Sequence, residues 1–177
     1  MAENIVIRSL KERRSIRAFK SEQVPDELLD AVLEAGMYAP TGRNFQSPLM
    51  VAVRDRKTVK QLSEMNAAIM GSDSDPFYGA PCVIVVFADP NVHTYLEDGS
   101  LVLGNLLNAA YACGLGSCWI HRAREVFETQ AGKKLMREWG VDEKYVGIGN
   151  CILGYTKGEA PAVRPRKEGY VIKIDQN

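Results

Sequence analysis

Helical spacing of apolar residues recurs along the chain and predicts most of its regular structure. Pro25, Asp26 and Glu27 are typical of a helix start, because proline suits the first turn and acidic side chains favour the positive end of the helix dipole. Gly36 is expected to end or weaken the helix that follows. The run from Leu101 to Cys113 is apolar on most sides, which predicts a helix deep in a core or in a subunit interface. Further helices are predicted at 4–13, 58–70, 125–130 and 133–139.

Short apolar runs bounded by turn-forming residues predict the strands. Leu49 to Val53 follows a polar loop, residues 39–48, with a proline near each end. Cys82 to Phe87 is continuously apolar, as expected for a strand that is buried on both faces. Extended segments or strands are also predicted at 15–19, 117–120, 146–153 and 170–174. The last of these alternates like an edge strand and follows a long irregular tail, which could reach a second copy of the chain.

Composition is that of an ordinary globular protein, with 46% hydrophobic and 25% charged residues. The 177 residues suffice for one domain, predicted to span 1–177. Lys plus Arg equals Asp plus Glu at 22 each, which argues against nucleic acid as a partner because phosphate binding usually needs a basic excess. No apolar run is long enough for a signal peptide or a membrane span, so no membrane partner is expected.

The four cysteines, Cys82, Cys113, Cys118 and Cys151, form no CxxC pair. Three of them lie in apolar surroundings, where cysteine usually serves as a small buried hydrophobe. Free thiols in a chain without a secretion signal favour a cytoplasmic location. Neither histidine has metal-ligand spacing with the cysteines, so no metal site is predicted. A complete dinucleotide-binding glycine motif and a P-loop are also missing.

The densest polar signal is Arg13-Arg14-Ser15-Ile16-Arg17, at a predicted junction of helix and strand. Ser15 and Arg17 share one face of an extended segment, and Arg13 stands beside them at the helix end. Guanidinium groups together with a hydroxyl can form a bidentate cradle for a phosphate. A solvated basic turn is the alternative interpretation. The second basic cluster, residues 164–167, suggests one anion held from both ends of the chain, and the two interpretations stay open.

The loop from Pro40 to Gln46 carries hydroxyl and amide groups that could hydrogen-bond the edge of a planar heterocycle. Taken alone, such a loop is more often a surface turn whose side chains cap the backbone.

Five segments, taken in order, resemble the motifs of the nitroreductase family of flavoproteins. The resemblance covers nearly the whole chain. Each motif is weak singly, but their shared order makes a specific pattern. The matching segments are 13–19 (RRSIRAF), 39–46 (APTGRNFQ), 80–86 (APCVIVV), 110–120 (AYACGLGSCWI) and 149–155 (GNCILGY) with the basic residues 164–167 (RPRK) after it.

This resemblance implies an α+β fold with a central, mostly antiparallel sheet flanked by helices. It implies an intertwined homodimer that exchanges C-terminal strands and binds FMN at its interface. Arg13, Arg14, Ser15, Arg17, Arg164 and Arg166 would hold the phosphate and ribityl chain. Thr41, Gly42 and Asn44 would approach the flavin from the partner subunit, and the backbone of Ile120, His121 and Arg122 would lie beside the flavin ring.

The activity implied is reduction of a nitroaromatic, a quinone or a related acceptor by NAD(P)H, in a ping-pong hydride mechanism. No catalytic side chain is expected, because the cofactor carries the chemistry. Gln46-Ser47-Pro48-Leu49 departs from the family's Gln-Pro-Trp, and His121-Arg122 replaces smaller or acidic residues, so the acceptor stays open. Reductive dehalogenation or dehydrogenation of a metabolite, a non-catalytic flavin-binding protein and an anion-binding protein without flavin are the alternatives.

Overall fold

A computed structural model describes residues 4–174 as a four-stranded sheet with helices on both faces. One turn of 3-10 helix, Gly42–Asn44, interrupts the polar loop before the first strand. In these residues no helix is both long and apolar enough to cross a bilayer. In chain order the other elements are α1 (Ile5–Glu12), α2 (Asp26–Met37), β1 (Leu49–Val53), α3 (Arg56–Met70), β2 (Cys82–Ala88), α4 (Tyr95–Ala112), β3 (Gly116–Ile120), α5 (Ala123–Glu128), α6 (Gln130–Glu138) and β4 (Val146–Gly154).

The β2 strand is buried on both faces, as its unbroken apolar sequence predicts. Because side chains alternate along a strand, Val83, Val85 and Phe87 join the core formed with α3, α5 and α6. Ile84 and Val86 join a second core with α2 and α4 on the opposite face. The sheet therefore separates two hydrophobic layers.

The strands follow the order β1-β2-β4-β3, and each neighbouring pair is antiparallel. The predicted α+β architecture with a mostly antiparallel sheet is confirmed. Beyond β3 lies the extended segment 15–19, since the Ile16 N–H donates to the Ser117 carbonyl at 2.9 Å. Strand β1 forms the other edge, and no second strand of residues 4–174 pairs with it.

Apart from shifts of up to three residues at the ends of other elements, three sequence predictions differ from the structure. Helix α4 begins at Tyr95 rather than at Leu101, because Gly99 and the polar residues beside it interrupt the apolar pattern of its first turns. Helix α2 continues through Gly36, where close packing needs glycine: an added Cβ would lie 2.8 Å from Met50 Sδ. Residues 170–174 form no strand here, and their side chains are exposed. A period-two pattern needs a pairing partner, and residues 4–174 of one chain provide none for it.

Candidate functional site

The arginines that follow α1 line a small cavity of about 130 Å³. Its walls come from the end of α1, the C-terminal part of α4, the start of β3 and residues 156–160. Arg13 Nη1 and Arg14 Nη2 are buried, and neither has a hydrogen-bond partner in residues 4–174. Buried polar groups are nearly always paired, so two unpaired guanidinium nitrogens on side chains that line one cavity indicate a binding site for an acceptor.

Glu12 lines the same cavity but forms no hydrogen bond or ion pair with Arg13 or Arg14. Its carboxylate accepts hydrogen bonds from Arg8 Nε at 2.8 Å and from the Tyr111 hydroxyl at 3.0 Å. Both bonds lower the pKa of the Glu12 carboxyl, with Arg8 the larger cause. No carboxylate within residues 4–174 forms an ion pair with Arg13 or Arg14. The cavity therefore has a surplus of positive charge, which an anion would balance.

Two hydrogen bonds from its other terminal nitrogen fix the guanidinium group of Arg14. Its Nη1 donates to the carbonyl oxygens of Lys11 at 2.8 Å and of Arg13 at 2.6 Å. Ser15 is half-buried and paired through its backbone with Ser117, whereas Arg17 is exposed further along the same segment. The structure thus brings Arg13, Arg14 and Ser15 together at the start of β3.

Residues 120–122 lie at the other end of β3. Ile120 is buried, His121 is exposed, and Arg122 adopts a left-handed conformation with φ of 73°. The carbonyl of Ile120 accepts a hydrogen bond from Asn150, and that of His121 accepts one from Asn66. His121 follows Ser117 by four positions along the extended chain, a distance of about 13 Å.

The loop with Thr41, Gly42 and Asn44 is held in a strained conformation. Arg43, Asn44 and Gln46 all have φ between 51° and 56°, a region that non-glycine residues rarely adopt. The Gln46 N–H donates to Thr41 Oγ1 at 3.1 Å, which closes the loop on itself. Such strain persists where the surroundings impose it, and it is common at ligand-binding loops.

This loop does not reach the arginine cavity of the same chain. Asp98, near the start of α4, binds the Gly42 N–H at 2.9 Å, whereas Tyr111 lines the cavity near the end of α4. Tyr111 follows Asp98 by thirteen positions along α4, which corresponds to about 20 Å. Arg164 and Arg166 lie in the exposed tail and do not line the cavity either. One chain therefore assembles only part of the predicted residue set.

A larger cavity, about 700 Å³, lies between α3 and residues 72–81 and contains none of the predicted site residues. Ser63 Oγ donates to Asp75 at 2.5 Å, and Asp75 also accepts the N–H groups of Phe77 and Gly79. Ser63, the buried polar residue of this cavity, is therefore already paired, unlike the two arginines of the smaller cavity.

Comparisons with known proteins identify the family to which the chain belongs. The sequence profile of the nitroreductase family matches residues 10–72. A protein of Archaeoglobus fulgidus, provisionally named NADH dehydrogenase/NAD(P)H nitroreductase, is 35% identical over 153 residues, which cover 83% of each chain. This chain belongs to the nitroreductase family.

A solved nitroreductase of Bacteroides fragilis with bound FMN has the same fold as this family member. Its TM-score is 0.90 at 27% identity, and the match covers 98% of this chain and 100% of that one. The FMN reductase (NAD(P)H) of Bacillus subtilis is 30% identical over 138 residues, which are 68% of this chain and 55% of that protein.

Sequence reasoning missed three buried polar residues that hold the predicted segments of this nitroreductase-family chain in place: Asn66, Asp98 and Asn150. Asn66 had a usable signal, since it follows Val59 and Leu62 at helical spacing on the buried face of α3. A polar residue on such a face needs a partner. Asp98 gave no such signal, because an acidic residue in a first helical turn is common for dipole reasons alone.

Proposed function

We propose that this protein is an FMN-dependent oxidoreductase that uses NAD(P)H to reduce nitroaromatic, quinone or related acceptors. We further propose that it works as a homodimer. The observation that carries the proposal is the pair of buried, unpaired guanidinium nitrogens on Arg13 and Arg14. Two such donors suit a phosphate, whose oxygens accept charge-assisted hydrogen bonds from arginine.

The size of the arginine cavity supports the assignment to a phosphate end. About 130 Å³ is the volume of roughly four water molecules, which is enough for a phosphate group but too small for FMN. The remainder of the cofactor would follow β3 toward residues 120–122. The roughly 13 Å from Ser117 to His121 is comparable with the span of FMN from phosphate to ring.

A second copy of the chain would then cover the ring. The loop with Thr41, Gly42 and Asn44 lies about 20 Å along α4 from the cavity of its own chain, so it contributes to a site only in trans. Large exposed apolar side chains point to the same conclusion, since contiguous apolar patches usually mark interfaces. They include Ile5, Val6, Ile7 and Leu10 of α1, and Tyr170, Val171, Ile172 and Ile174 of the tail.

The free edge of β1 supplies a docking position for that tail. An unpaired strand edge is a template for pairing with another chain. Residues 170–174 alternate as a strand does and have no strand partner in residues 4–174 of their own chain. C-terminal strand exchange would pair them with the partner, and it would bring Arg164 and Arg166 across the interface.

Bound FMN would supply the redox chemistry, hydride acceptance from NAD(P)H and two-electron transfer to an acceptor. The chain's own residues bind and orient. Arg13, Arg14 and Ser15 would hold the phosphate end, and the N–H groups of residues 121 and 122 would face the ring. NAD(P)H would have to leave before the acceptor enters, because the two substrates would compete for one site beside residues 120–122. This order gives ping-pong kinetics.

Anaerobic addition of NADH or NADPH to the purified yellow protein tests the proposal. We expect the flavin released by denaturation to be FMN, the yellow colour to bleach, and a nitroaromatic or a quinone to restore it. A protein that is colourless after incubation with FMN and removal of the unbound cofactor would refute the cofactor assignment. A yellow protein that neither nicotinamide bleaches would be a flavin-binding protein without this activity.

A further inference from the structure

Two buried asparagines bind successive carbonyl groups at the end of β3. Asn66 of α3 donates from Nδ2 to the His121 carbonyl oxygen at 2.7 Å, and Asn150 of β4 donates to the Ile120 carbonyl oxygen at 3.3 Å. Their exposed fractions are 0% and 2%. Helix α3 and strand β4 therefore hold the same short segment from two sides.

The orientation of the Asn66 amide is fixed by its partner. A carbonyl oxygen can only accept, so the NH₂ group of Asn66 must face His121. The Oδ1 atom is then buried without a hydrogen-bond partner. An unsatisfied buried acceptor costs stability, whereas leucine at this position would simply extend the apolar face of α3 with Val59 and Leu62. The retained amide therefore indicates a role other than packing.

Peptide geometry transmits these two bonds to the opposite side of the segment. In a trans peptide the C=O and N–H groups point in opposite directions. The Ile120 carbonyl shares a peptide with the His121 N–H, and the His121 carbonyl shares one with the Arg122 N–H. Within residues 4–174 neither N–H has a hydrogen-bond acceptor. Both donors are thus directed away from the buried asparagines and remain available to a ligand.

The bond from Asn66 also holds a strained residue. Arg122 has φ of 73°, which is unfavourable for a side chain with a Cβ. Rotation of the peptide between His121 and Arg122 would change that φ and relieve the strain. It would also break the bond between Asn66 and the His121 carbonyl and turn the Arg122 N–H away.

We propose that Asn66 is a positioning residue of the flavin site: through the His121 carbonyl it holds the Arg122 N–H toward the bound FMN ring. Asn150 supports it by fixing the preceding peptide. The inference rests on the proposed function, and Asn66 itself does not touch the cofactor. Its loss therefore alters the properties of the bound ring without removing the phosphate site at Arg13 and Arg14.

The test compares FMN-loaded wild type with Asn66→Leu and Asn66→Asp, which both remove the donor. Leu62→Ala is the matched control, because it weakens the same buried face of α3 without touching the His121 carbonyl. In both Asn66 variants we expect FMN affinity within about tenfold of wild type. We also expect the relative affinity for oxidised and reduced FMN to change at least tenfold, which is about 30 mV for a two-electron couple. Leu62→Ala should lower the melting temperature and leave the potential unchanged.

An Asn66 variant that binds FMN with wild-type potential and bleaching rate would overturn the positioning role. If neither variant folds, hydrogen exchange in the wild-type protein is the deciding measurement. Binding of FMN should slow exchange of the Arg122 amide. Unchanged exchange at that amide would also overturn the positioning role. Failure of the proposed function is distinguishable, because wild type would then lack FMN or resist bleaching by NAD(P)H.

Discussion

The carboxylate of Asp98 binds the backbone of Gly42 across 56 residues of sequence: the Gly42 N–H donates to Asp98 Oδ1 at 2.9 Å. Thr94 donates its hydroxyl to the other carboxylate oxygen at 3.0 Å. Asp98 is only 2% exposed, and a Cβ on Gly42 would lie 2.2 Å from Thr94 Oγ1. The strained loop of residues 41–46 is therefore anchored at its start by the first turns of α4.

Removing this anchor should weaken cofactor binding. Asp98→Ala leaves the Gly42 N–H and the Thr94 hydroxyl without acceptors, at a cost of about 1–3 kcal/mol in stability. If the loop covers the partner's flavin, FMN affinity should also fall, by about tenfold. Asp98→Asn keeps an acceptor oxygen for Gly42 and should retain most of the affinity. Fluorescence titration of the apoproteins compares the three chains, and equal affinity in Asp98→Ala and wild type would exclude the loop from the site.

The C-terminal tail should be needed for dimerisation. Ending the chain after Lys167 removes the exposed apolar positions of residues 170–174, which we propose to pair with β1 of the partner. We expect light scattering to report a shift from dimer to monomer, with loss of the bound flavin. Lys134→Asp, an exposed charge change on α6, is the control and should leave the dimer intact. A truncated protein that remains a yellow dimer would contradict strand exchange.

Stability should decline at alkaline pH because of a buried thiol. Burial raises the pKa of Cys82 to about 12. Above the ordinary thiol pKa, near 8.5, the unfolded chain loses a proton that the folded chain keeps, so the free energy of unfolding falls as pH rises toward 12. The slope is about 1.4 kcal/mol per pH unit for one such group.

Urea unfolding between pH 8 and pH 11 measures this slope. Cys82→Ala should flatten it, whereas Cys113→Ala, at a half-buried position, should leave the Cys82 contribution in place. Burial also raises the pKa of Cys151, so part of the slope should persist in Cys82→Ala. Identical slopes in wild type and Cys82→Ala would show that the Cys82 thiol is not buried as described.

Reduction by NAD(P)H should not need the His121 side chain. The imidazole is exposed, and the bond to Asn66 uses only the backbone carbonyl, which alanine retains. We therefore expect His121→Ala to bleach with NAD(P)H within about tenfold of the wild-type rate. In steady state, plots of reciprocal rate against reciprocal NAD(P)H concentration, made at several fixed acceptor concentrations, should give parallel lines. Intersecting lines, or abolished bleaching in a variant that still binds FMN, would refute the ping-pong mechanism without a catalytic side chain.

Local sequence patterns were sufficient for most of the fold. The apolar run of β2 and the boundaries of β1 could be predicted because burial on both faces and flanking prolines leave direct traces in the sequence. The start of α4 could not be predicted, because Gly99 interrupts the helical pattern. Glycine is needed there by close packing against β4, since an added Cβ would lie 2.7 Å from Ile148 Cγ1.

The candidate site was less predictable than the fold, because several of its contacts are also tertiary. The Arg13–Arg17 cluster is contiguous, so its chemistry is visible in sequence. Asn66 and Asp98, by contrast, act on backbone groups 55 and 56 residues away. Such pairings depend on the tertiary arrangement of α3, α4 and β3, which local patterns do not encode.

The most direct test of the central claim is a titration of apoprotein with FMN, comparing wild type with Arg13→Ala. The buried Arg13 Nη1 has no partner within residues 4–174, and we propose that the FMN phosphate supplies it. Arg137→Ala, which removes an arginine of α6 that pairs with Glu143 on the opposite face of the sheet from α4, is the matched control. We predict one FMN per chain in wild type and in the control, and a loss of about 1.5–3 kcal/mol of binding free energy in Arg13→Ala. A correctly folded Arg13→Ala protein with wild-type affinity would contradict the account.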